Sequence, residues 1–202
     1  MGSMINSRED YRFYLSADRL ALGVEKARFS FLHETWRFQR LLRRLEYCIN
    51  CRNSIIWKPY LLYLWFRFLR LSRNLGFSIP PNVFGPGLAI VHRGTIVVSD
   101  KAKVGENCRI HVCVTIGAKA GSGNEVPQIG NNVYIGPGAK IFGGIQIADG
   151  IAIGANSVVN KSYLEPNTGI AGVPAKKIND RGSKDFVTDS TKRIREIGDI
   201  GE

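Results

Sequence analysis

The fold of this chain is decided by residues 128–159, whose sequence is QIGNNVYIGPGAKIFGGIQIADGIAIGANSVV. An aliphatic residue returns at every sixth position, and Gly, Ala or Phe follows each of the first five. These positions are Ile129, Ile135, Ile141, Ile147, Ile153 and Val159. A period of six does not match the 3.6 residues of an α-helical turn. It predicts very short strands separated by tight turns.

The six-residue spacing continues upstream, at Val98, Val104, Ile110 and Ile116. Phe84, Ile90 and Ile96 keep the same period but are offset by two residues, which predicts a bulge at one corner. A hexapeptide repeat is typical of a parallel β-helix, in which three hexapeptides form a triangular coil, and about five coils fit into residues 77–177. A β-sandwich with glycine-rich turns is the alternative, but it has no reason to keep one spacing over six hexapeptides.

Two segments depart from the repeat. Thirteen residues separate Ile116 from Ile129, so residues 118–128 must leave the column as an extruded loop, and loops on rigid scaffolds often carry function. Pro166 and Pro174 end the repeat. We therefore place the β domain at residues 77–178, and we expect residues 179–202 to be a polar, mobile tail.

The preceding residues, 1–76, have the pattern of a helical region. Ser7 and Asp10 resemble a capping pair, and Ser16 is a possible start of a second helix. Apolar residues three and four apart predict one buried helical face between Phe29 and Ile49, with an opposite face of Arg37, Arg40, Arg43 and Arg44. Tyr60 to Leu75 forms a further predicted helix, for which Gly76 is a plausible C-terminal cap.

The helical region carries most of the net positive charge of the chain. It has fourteen Lys and Arg against six Asp and Glu, and the net charge of all 202 residues is +11. Between residues 57 and 73, aromatic side chains alternate with basic ones. Three interpretations are open: a solvated basic face, peripheral contact with an anionic membrane surface, or binding to nucleic acid. No motif supports the last, so no nucleic acid is expected as a partner.

The four cysteines are expected to be free thiols, because the N-terminal residues lack the apolar core of a signal peptide. We therefore expect a cytoplasmic protein, with the inner face of the membrane as a second expected location. Cys48 and Cys51 form one C-x-x-C pair, but a zinc site needs two more ligands and none is suitably spaced. No metal is predicted.

The segment from Pro80 to Ile178 resembles the hexapeptide-repeat acyltransferases, and within them it looks most like serine O-acetyltransferase. The resemblance rests on five stretches: Val91–Val98 (VHRGTIVV), Val114–Gly117 (VTIG), Ile135–Ile141 (IGPGAKI), Ile153–Val159 (IGANSVV) and Ala171–Lys176 (AGVPAK). It covers about half the chain. It implies a left-handed parallel β-helix behind a helical N-terminal region.

The resemblance also implies a homotrimer with acetyl-CoA, and no metal, in a groove between neighbouring columns. His92 falls on the catalytic histidine of the family. The implied cofactor-binding positions are Gly117, Ala118, Pro137, Ala155, Asn160, Lys161 and Lys176. His111 lies nearly one coil beyond His92, and we expect it to orient a substrate or to act as a second base.

Three charged positions of the family are different in this sequence. Phe77 and Val91 replace two aspartates, and Glu125-Val126 replaces an Arg-His pair. Because a zwitterionic amino acid needs charged partners, we expect an acceptor other than free serine. A neutral sugar hydroxyl of a surface polysaccharide or its precursor needs none.

The chemistry expected is direct transfer of an acetyl group from the thioester to a hydroxyl. A neutral histidine suits the removal of the hydroxyl proton near pH 7, which assigns His92 as the general base. Backbone amides at glycine corners, with Gly94 and Gly117 as candidates, would hold the oxyanion. The alternatives are serine O-acetylation in cysteine biosynthesis and a non-catalytic β-helix scaffold.

Overall fold

The computed structural model describes residues 4–24 and 33–198. Within these two ranges, four α-helices and fourteen short strands follow one another. The helices are α1 (Arg8–Leu22), α2 (Glu34–Cys51), α3 (Lys58–Leu75) and α4 (Ser190–Ile197), and a 3-10 turn, Ile55–Trp57, precedes α3. The strands are β1 (Phe77–Ser78), β2 (Ala89–Ile90), β3 (Ile96–Val98), β4 (Lys103–Val104), β5 (Arg109–Ile110), β6 (Val114–Gly117), β7 (Gln128–Ile129), β8 (Tyr134–Ile135), β9 (Lys140–Phe142), β10 (Gln146–Ile147), β11 (Ala152–Ile153), β12 (Val158–Val159), β13 (Gly169–Gly172) and β14 (Ala175–Asn179).

The strands form three sheets that the chain visits in turn. One sheet has the order β1-β3-β6-β9-β12, the second β4-β7-β10, and the third β2-β5-β8-β11-β13-β14. All pairings between these strands are parallel except that of β13 with β14. From β2 to β12 the chain passes from the third sheet to the first, then to the second, and back. This is the parallel, three-walled arrangement that the hexapeptide spacing predicts.

The register explains both irregularities of the repeat. Lys140 pairs with Val158 eighteen residues later, which is one regular coil, whereas Thr115 pairs with Lys140. That coil is seven residues longer, and the additional residues form the loop over 118–128. Ile90 aligns with Ile110 and Val98 with Ile116, so two extra residues lie between Ile90 and Val98. The predicted bulge is therefore confirmed, and it lies at the corner that bears His92.

The core of the column consists of the recurring aliphatic side chains. All six positions of the repeat between residues 129 and 159 are at most 5% exposed. The corners need left-handed backbone, which Asn and Gly adopt with least strain. At Gly138, with φ of 78°, a Cβ atom would lie within 2.0 Å of the Asn156 side chain, so two adjacent corners pack too closely for any larger residue.

Helices α1 and α2 pack on the first coil through a buried polar cluster. The Arg43 guanidinium donates to the carboxylates of Asp18 at 2.8 Å and Glu46 at 3.0 Å, and to the carbonyls of Phe84 at 2.9 Å and Gly85 at 2.7 Å. All three charged side chains are buried. The prediction that Arg43 belongs to an exposed basic face is wrong. Arg43 lies on the side of α2 that faces the column, and the carboxylates of Asp18 and Glu46 compensate its charge there.

Two further sequence expectations differ from the structure. Ser16 lies inside α1, which Ser7 caps by accepting a hydrogen bond from the Asp10 amide at 2.9 Å. Helix α2 is described from Glu34 onward, and the predicted helical residues 29–32 lie outside the described part of the chain. Gly76 ends α3 with φ of 78°, as predicted.

The C-terminal residues, which we expected to be mobile, form a docked helix. The side chains of Ser190, Thr191 and Ile194 in α4 are buried. The Asn107 side chain donates to Thr191 Oγ1 at 2.9 Å and accepts from Ser190 Oγ at 2.8 Å. Helix α4 is too short to be predicted from its sequence pattern, and its contacts with Asn107, more than 80 residues away, hold it in place.

Among the described residues, no helix is both long and apolar enough to cross a membrane.

Candidate active site

One corner of the column carries both candidate catalytic residues. Ile90, Ile110, Ile135, Ile153 and Ile170 stack in register, so the residues after them stack as well. These following residues include His92, His111, Pro137 and Ala155, and we call this corner the histidine edge. Because coils stack about 4.8 Å apart, the edge runs about 14 Å from His92 to Ala155.

The two histidines are neighbours on this edge, with ring centroids 6.3 Å apart. His92 is exposed, whereas His111 is half-buried. The Tyr134 ring packs edge-on against His111 at 5.2 Å, and Phe186 lies 5.0 Å beyond Tyr134. The pairing of β5 with β8 brings Tyr134 next to His111, although the two residues are more than twenty positions apart in the sequence.

The electrostatics of His111 favour its neutral form. Burial lowers the pKa of His111 from its usual 6.5, and the positive charge of Arg109 and the adjacent His92 lower it further. Its Nε2 atom is buried and has no hydrogen-bond partner among the described residues. A buried polar atom without a partner is costly. His111 is therefore held as a neutral imidazole, and its unpaired Nε2 atom is buried rather than open to solvent.

A second corner carries the other predicted cofactor residues. Val98, Ile116, Ile141 and Val159 stack in register, and Gly117, Ala118, Asn160 and Lys161 follow them. We call this corner the loop edge, because the loop over 118–128 leaves the column here. The two edges border the same sheet, β1-β3-β6-β9-β12, and about five residues of strand, or about 17 Å, separate them. One chain thus does not bring all the predicted residues together.

Lys176 belongs with the histidine edge. Strand β14 runs antiparallel to β13 and pairs Lys176 with Ala171. Ala171 follows Ile170 and so stands one coil beyond Gly154 and Ala155. The exposed ammonium group of Lys176 therefore lies at the opposite end of the edge from His92.

The loop over 118–128 is held by contacts at its base and its tip. The Lys119 ammonium lies 3.3 Å from the Glu125 carboxylate, and the Lys119 amide donates to the Glu125 carbonyl at 3.0 Å. Lys101 donates to Asn124 Oδ1 at 2.6 Å. Within its own chain, Glu125 is thus paired with Lys119, on the side of the sheet away from His92.

At the three positions that depart from the family pattern, the residues make apolar contacts or backbone hydrogen bonds within the chain. Phe77 is buried and packs edge-on against Phe38 at a centroid distance of 4.9 Å. Val91 donates its amide to the Ile110 carbonyl at 3.2 Å, and Val126 is buried. Gly94, expected as an oxyanion donor, already donates its amide to the Leu75 carbonyl at 3.0 Å. That expectation is wrong for Gly94, because the bulged corner uses this amide to join α3.

The second sheet, β4-β7-β10, borders a groove of about 460 Å³ whose lining includes Lys103, Gln128 and Gln146. This groove contains none of the predicted site residues. Among the described residues, no three His, Cys, Asp or Glu side chains are grouped so that they could hold a metal ion.

Known proteins have sequences similar to slightly more than half of this chain. The serine acetyltransferase of Synechococcus elongatus is 40% identical over 111 residues, which cover 54% of this chain and 45% of that protein. The serine acetyltransferase of Mycobacterium tuberculosis is 37% identical over 127 residues, covering 57% and 55%. The chain is therefore similar to the serine acetyltransferases in sequence. It spans about half the length of these relatives, and no family model matches it.

The fold of these relatives extends over most of the chain. The crystal structure of Brucella abortus serine acetyltransferase in complex with coenzyme A superposes with a TM-score of 0.70 and 28% identity, covering 87% of this chain and 70% of the other. The soybean serine acetyltransferase apoenzyme gives 0.68 and 29%, covering 84% and 69%. The similarity to solved serine acetyltransferases thus includes helices as well as the column.

Proposed function

We propose that the chain is an acetyl-CoA-dependent O-acetyltransferase. The observation that carries the proposal is the pair of adjacent histidines at one end of the histidine edge, in a relative of the serine acetyltransferases. One of the pair is exposed, and the other has a buried Nε2 atom without a partner. An exposed imidazole can take the proton of a hydroxyl, and the half-buried His111 ring beside it can help to orient that substrate.

In the proposed reaction, His92 removes the proton of the acceptor hydroxyl as its oxygen attacks the thioester carbonyl. The new C–O bond forms, the C–S bond breaks, and the thiolate of coenzyme A leaves and is protonated. His111, the half-buried neighbour of His92, helps to orient the acceptor or acts as a second base. The developing oxyanion needs backbone donors, for which Gly117 remains a candidate.

The cofactor would lie along the column. Acetyl-CoA is long, and a line of small residues, Pro137 and Ala155, leads from the histidines to the exposed Lys176. The amine of Lys176 would face the phosphates or the adenine end. Gly117, Ala118, Asn160 and Lys161 would act from the loop edge.

A homotrimer in which the histidine edge of one subunit faces the loop edge of the next would join the two groups of residues. The two edges border the same wall about 17 Å apart, so a groove between columns can use both whereas one column cannot. The left-handed winding of the coils, the division into domains at residues 77 and 178, and a cytoplasmic location remain proposals that rest on the same resemblance.

Serine is the favoured acceptor. The serine acetyltransferases that the chain resembles are named for this substrate, whereas no relative reported above supports the polysaccharide acceptor that we first expected from the sequence. A sugar hydroxyl is the second candidate, because Phe77, Val91 and Val126 offer no charged group to an ammonium or a carboxylate.

Release of coenzyme A thiol tests the function and its acceptor together. The full-length protein is incubated with acetyl-CoA and serine, or with acetyl-CoA and a panel of neutral sugars. Turnover with serine supports the first acceptor, and turnover with a sugar alone supports the second. Absence of turnover with every acceptor, together with absence of a thermal shift in millimolar coenzyme A, would favour the non-catalytic scaffold instead.

A further inference from the structure

The solvent-facing side of α3 and the turn before it expose an unusual number of large apolar side chains. Their exposed fractions range from 51% to 75%. They are Ile55, Ile56, Leu62, Tyr63, Phe66 and Leu69. Single exposed apolar residues are ordinary, but a contiguous group marks an interaction surface. We call this group and the basic residues beside it the outer face of α3.

Helical geometry makes this face continuous. Leu62, Phe66 and Leu69 follow one another at spacings of four and three, so they line one side of α3. Leu64 and Phe68 lie on the opposite side and are buried against the rest of the protein. The outer face is therefore an apolar stripe in its own right, additional to the side that α3 uses for the core.

The charged side chains of α3 and its flanking segments have a single sign. No Asp or Glu occurs between Glu46 and Asp100, an interval that contains the whole of α3. Five exposed cationic side chains lie in or next to the helix: Arg52, Lys58, Arg67, Arg70 and Arg73. Arg70 and Arg73 stand one and two helical turns after Phe66, so they flank the apolar stripe directly.

This pattern selects among possible occupants. A second copy of the chain, packed face to face, would bring arginine against arginine with no carboxylate from this segment between them, which is unfavourable. A bilayer of anionic lipid satisfies both components, because apolar side chains enter the boundary between headgroups and acyl chains while arginines meet phosphates. We propose that the outer face of α3 docks the protein on the surface of an anionic membrane.

The proposal is independent of the acceptor hydroxyl. Its strength follows from the number of cations: each Lys or Arg near an anionic surface contributes about five-fold to binding at low salt. The contribution must fall as salt screens the charges. The apolar side chains should confer the part of the binding that salt does not remove.

Flotation with lipid vesicles tests the proposal on the full-length protein. We expect it to float with vesicles that contain phosphatidylglycerol, to remain at the bottom with pure phosphatidylcholine, and to release partly as salt is raised. The double variant Arg70→Gln/Arg73→Gln should bind about 25-fold more weakly, from two cations at about five-fold each. Phe66→Ser/Leu69→Ser should lose the salt-resistant binding.

Two matched control variants distinguish binding through this face from nonspecific electrostatic or hydrophobic binding elsewhere on the protein. Arg181→Gln/Arg193→Gln removes two exposed cations elsewhere, and Leu164→Ser/Ile178→Ser removes two exposed apolar side chains from the column. Both should float like the unmodified protein. Unchanged thermal denaturation of all four variants shows that they are folded.

The proposal is overturned if the unmodified protein does not float with phosphatidylglycerol, or if the Arg70/Arg73 variant floats equally well. It is also overturned if sedimentation shows that Phe66→Ser/Leu69→Ser only dissociates an oligomer, which would make the face an interface between copies.

Discussion

The helical region and the column bury different kinds of side chain. The strand positions inside the column hold aliphatic side chains, and most of the isoleucines there are fully buried. The helical region instead buries Asp18, Arg43 and Glu46 together, and the Arg43 guanidinium also donates to the carbonyls of Phe84 and Gly85. The column is thus held by repeated packing, whereas its attachment to the helices depends on a few specific polar bonds.

The polar bonds between the helices and the first coil lie close to the candidate active site. Gln39 adds to the attachment by donating to the Leu88 carbonyl at 2.6 Å and accepting from the Ile90 amide at 3.1 Å. These bonds fix the first coil just before the bulge that bears His92. A buried ion pair is weak evidence for stability but a strong constraint on geometry. The helices therefore position the proposed catalytic corner, and the column supplies its length.

The largest effect is expected from a histidine substitution that compares the two regions. His92→Ala should lower kcat by about 10²–10⁴-fold, because the general base is lost, and it should leave the melting temperature unchanged since His92 is exposed. His33→Ala, in the helical region, should retain activity. Steady-state thiol release and thermal denaturation check both. Full activity in His92→Ala would transfer the role of base to another residue.

Arg43→Met should destabilise the protein by about 3–5 kcal/mol, because two buried carboxylates lose their partner. Arg40→Met is the matched control on the same helix: Arg40 is exposed, and the expected change is within about 0.5 kcal/mol. Urea denaturation measures both. A small change in Arg43→Met would mean that the helical region does not depend on the cluster.

Ile141→Val should cost about 0.5–1.5 kcal/mol, as removal of one methylene from a close-packed core does. Val97→Ala, on the outward side of β3, should cost less because that side chain is partly exposed. The comparison is made by urea denaturation at one pH. Equal losses would contradict the assignment of the six-residue positions to the interior of the column.

The smallest effect concerns pH. Burial, then Arg109 and His92, lower the pKa of His111 in the folded protein, so the unfolded chain takes up the proton first as pH falls. The stabilising contribution of neutral His111 is complete above pH 6.5 and is lost as pH falls through its folded pKa. His111→Gln should therefore flatten the fall in unfolding free energy between pH 7.5 and 5.5. An unchanged slope would show that His111 does not titrate this way.

The sequence predicts the column better than its attachments. The spacing from Ile129 to Val159, the two-residue offset before Val98 and the long loop after Ile116 are local patterns, and the register confirms each of them. Glu46 is only three residues from Arg43, but the other partners that bury Arg43 are distant along the chain: Asp18 is 25 residues away, and the carbonyls of Phe84 and Gly85 are 41 and 42 residues away. The Asp18–Arg43–Glu46 cluster was therefore missed. Only the packing of three elements makes an arginine on a basic helix an interior residue.

The site was predicted residue by residue but not as a spatial arrangement. His92 and His111 do lie together, since one coil separates them. Tyr134 was missed because an aromatic side chain on an outward strand position has no distinguishing sequence signal. Phe186 was missed because it lies in a turn of the C-terminal segment, far from Tyr134 along the chain.

The separation of the histidine edge from the loop edge has a genetic consequence under the proposed assembly. A chain with a defective histidine edge still offers an intact loop edge to its neighbour, and the reverse holds for a chain altered at Asn160 or Lys161. Two mutant alleles that are each inactive can then restore function when co-expressed, because some mixed assemblies contain one groove with both intact halves.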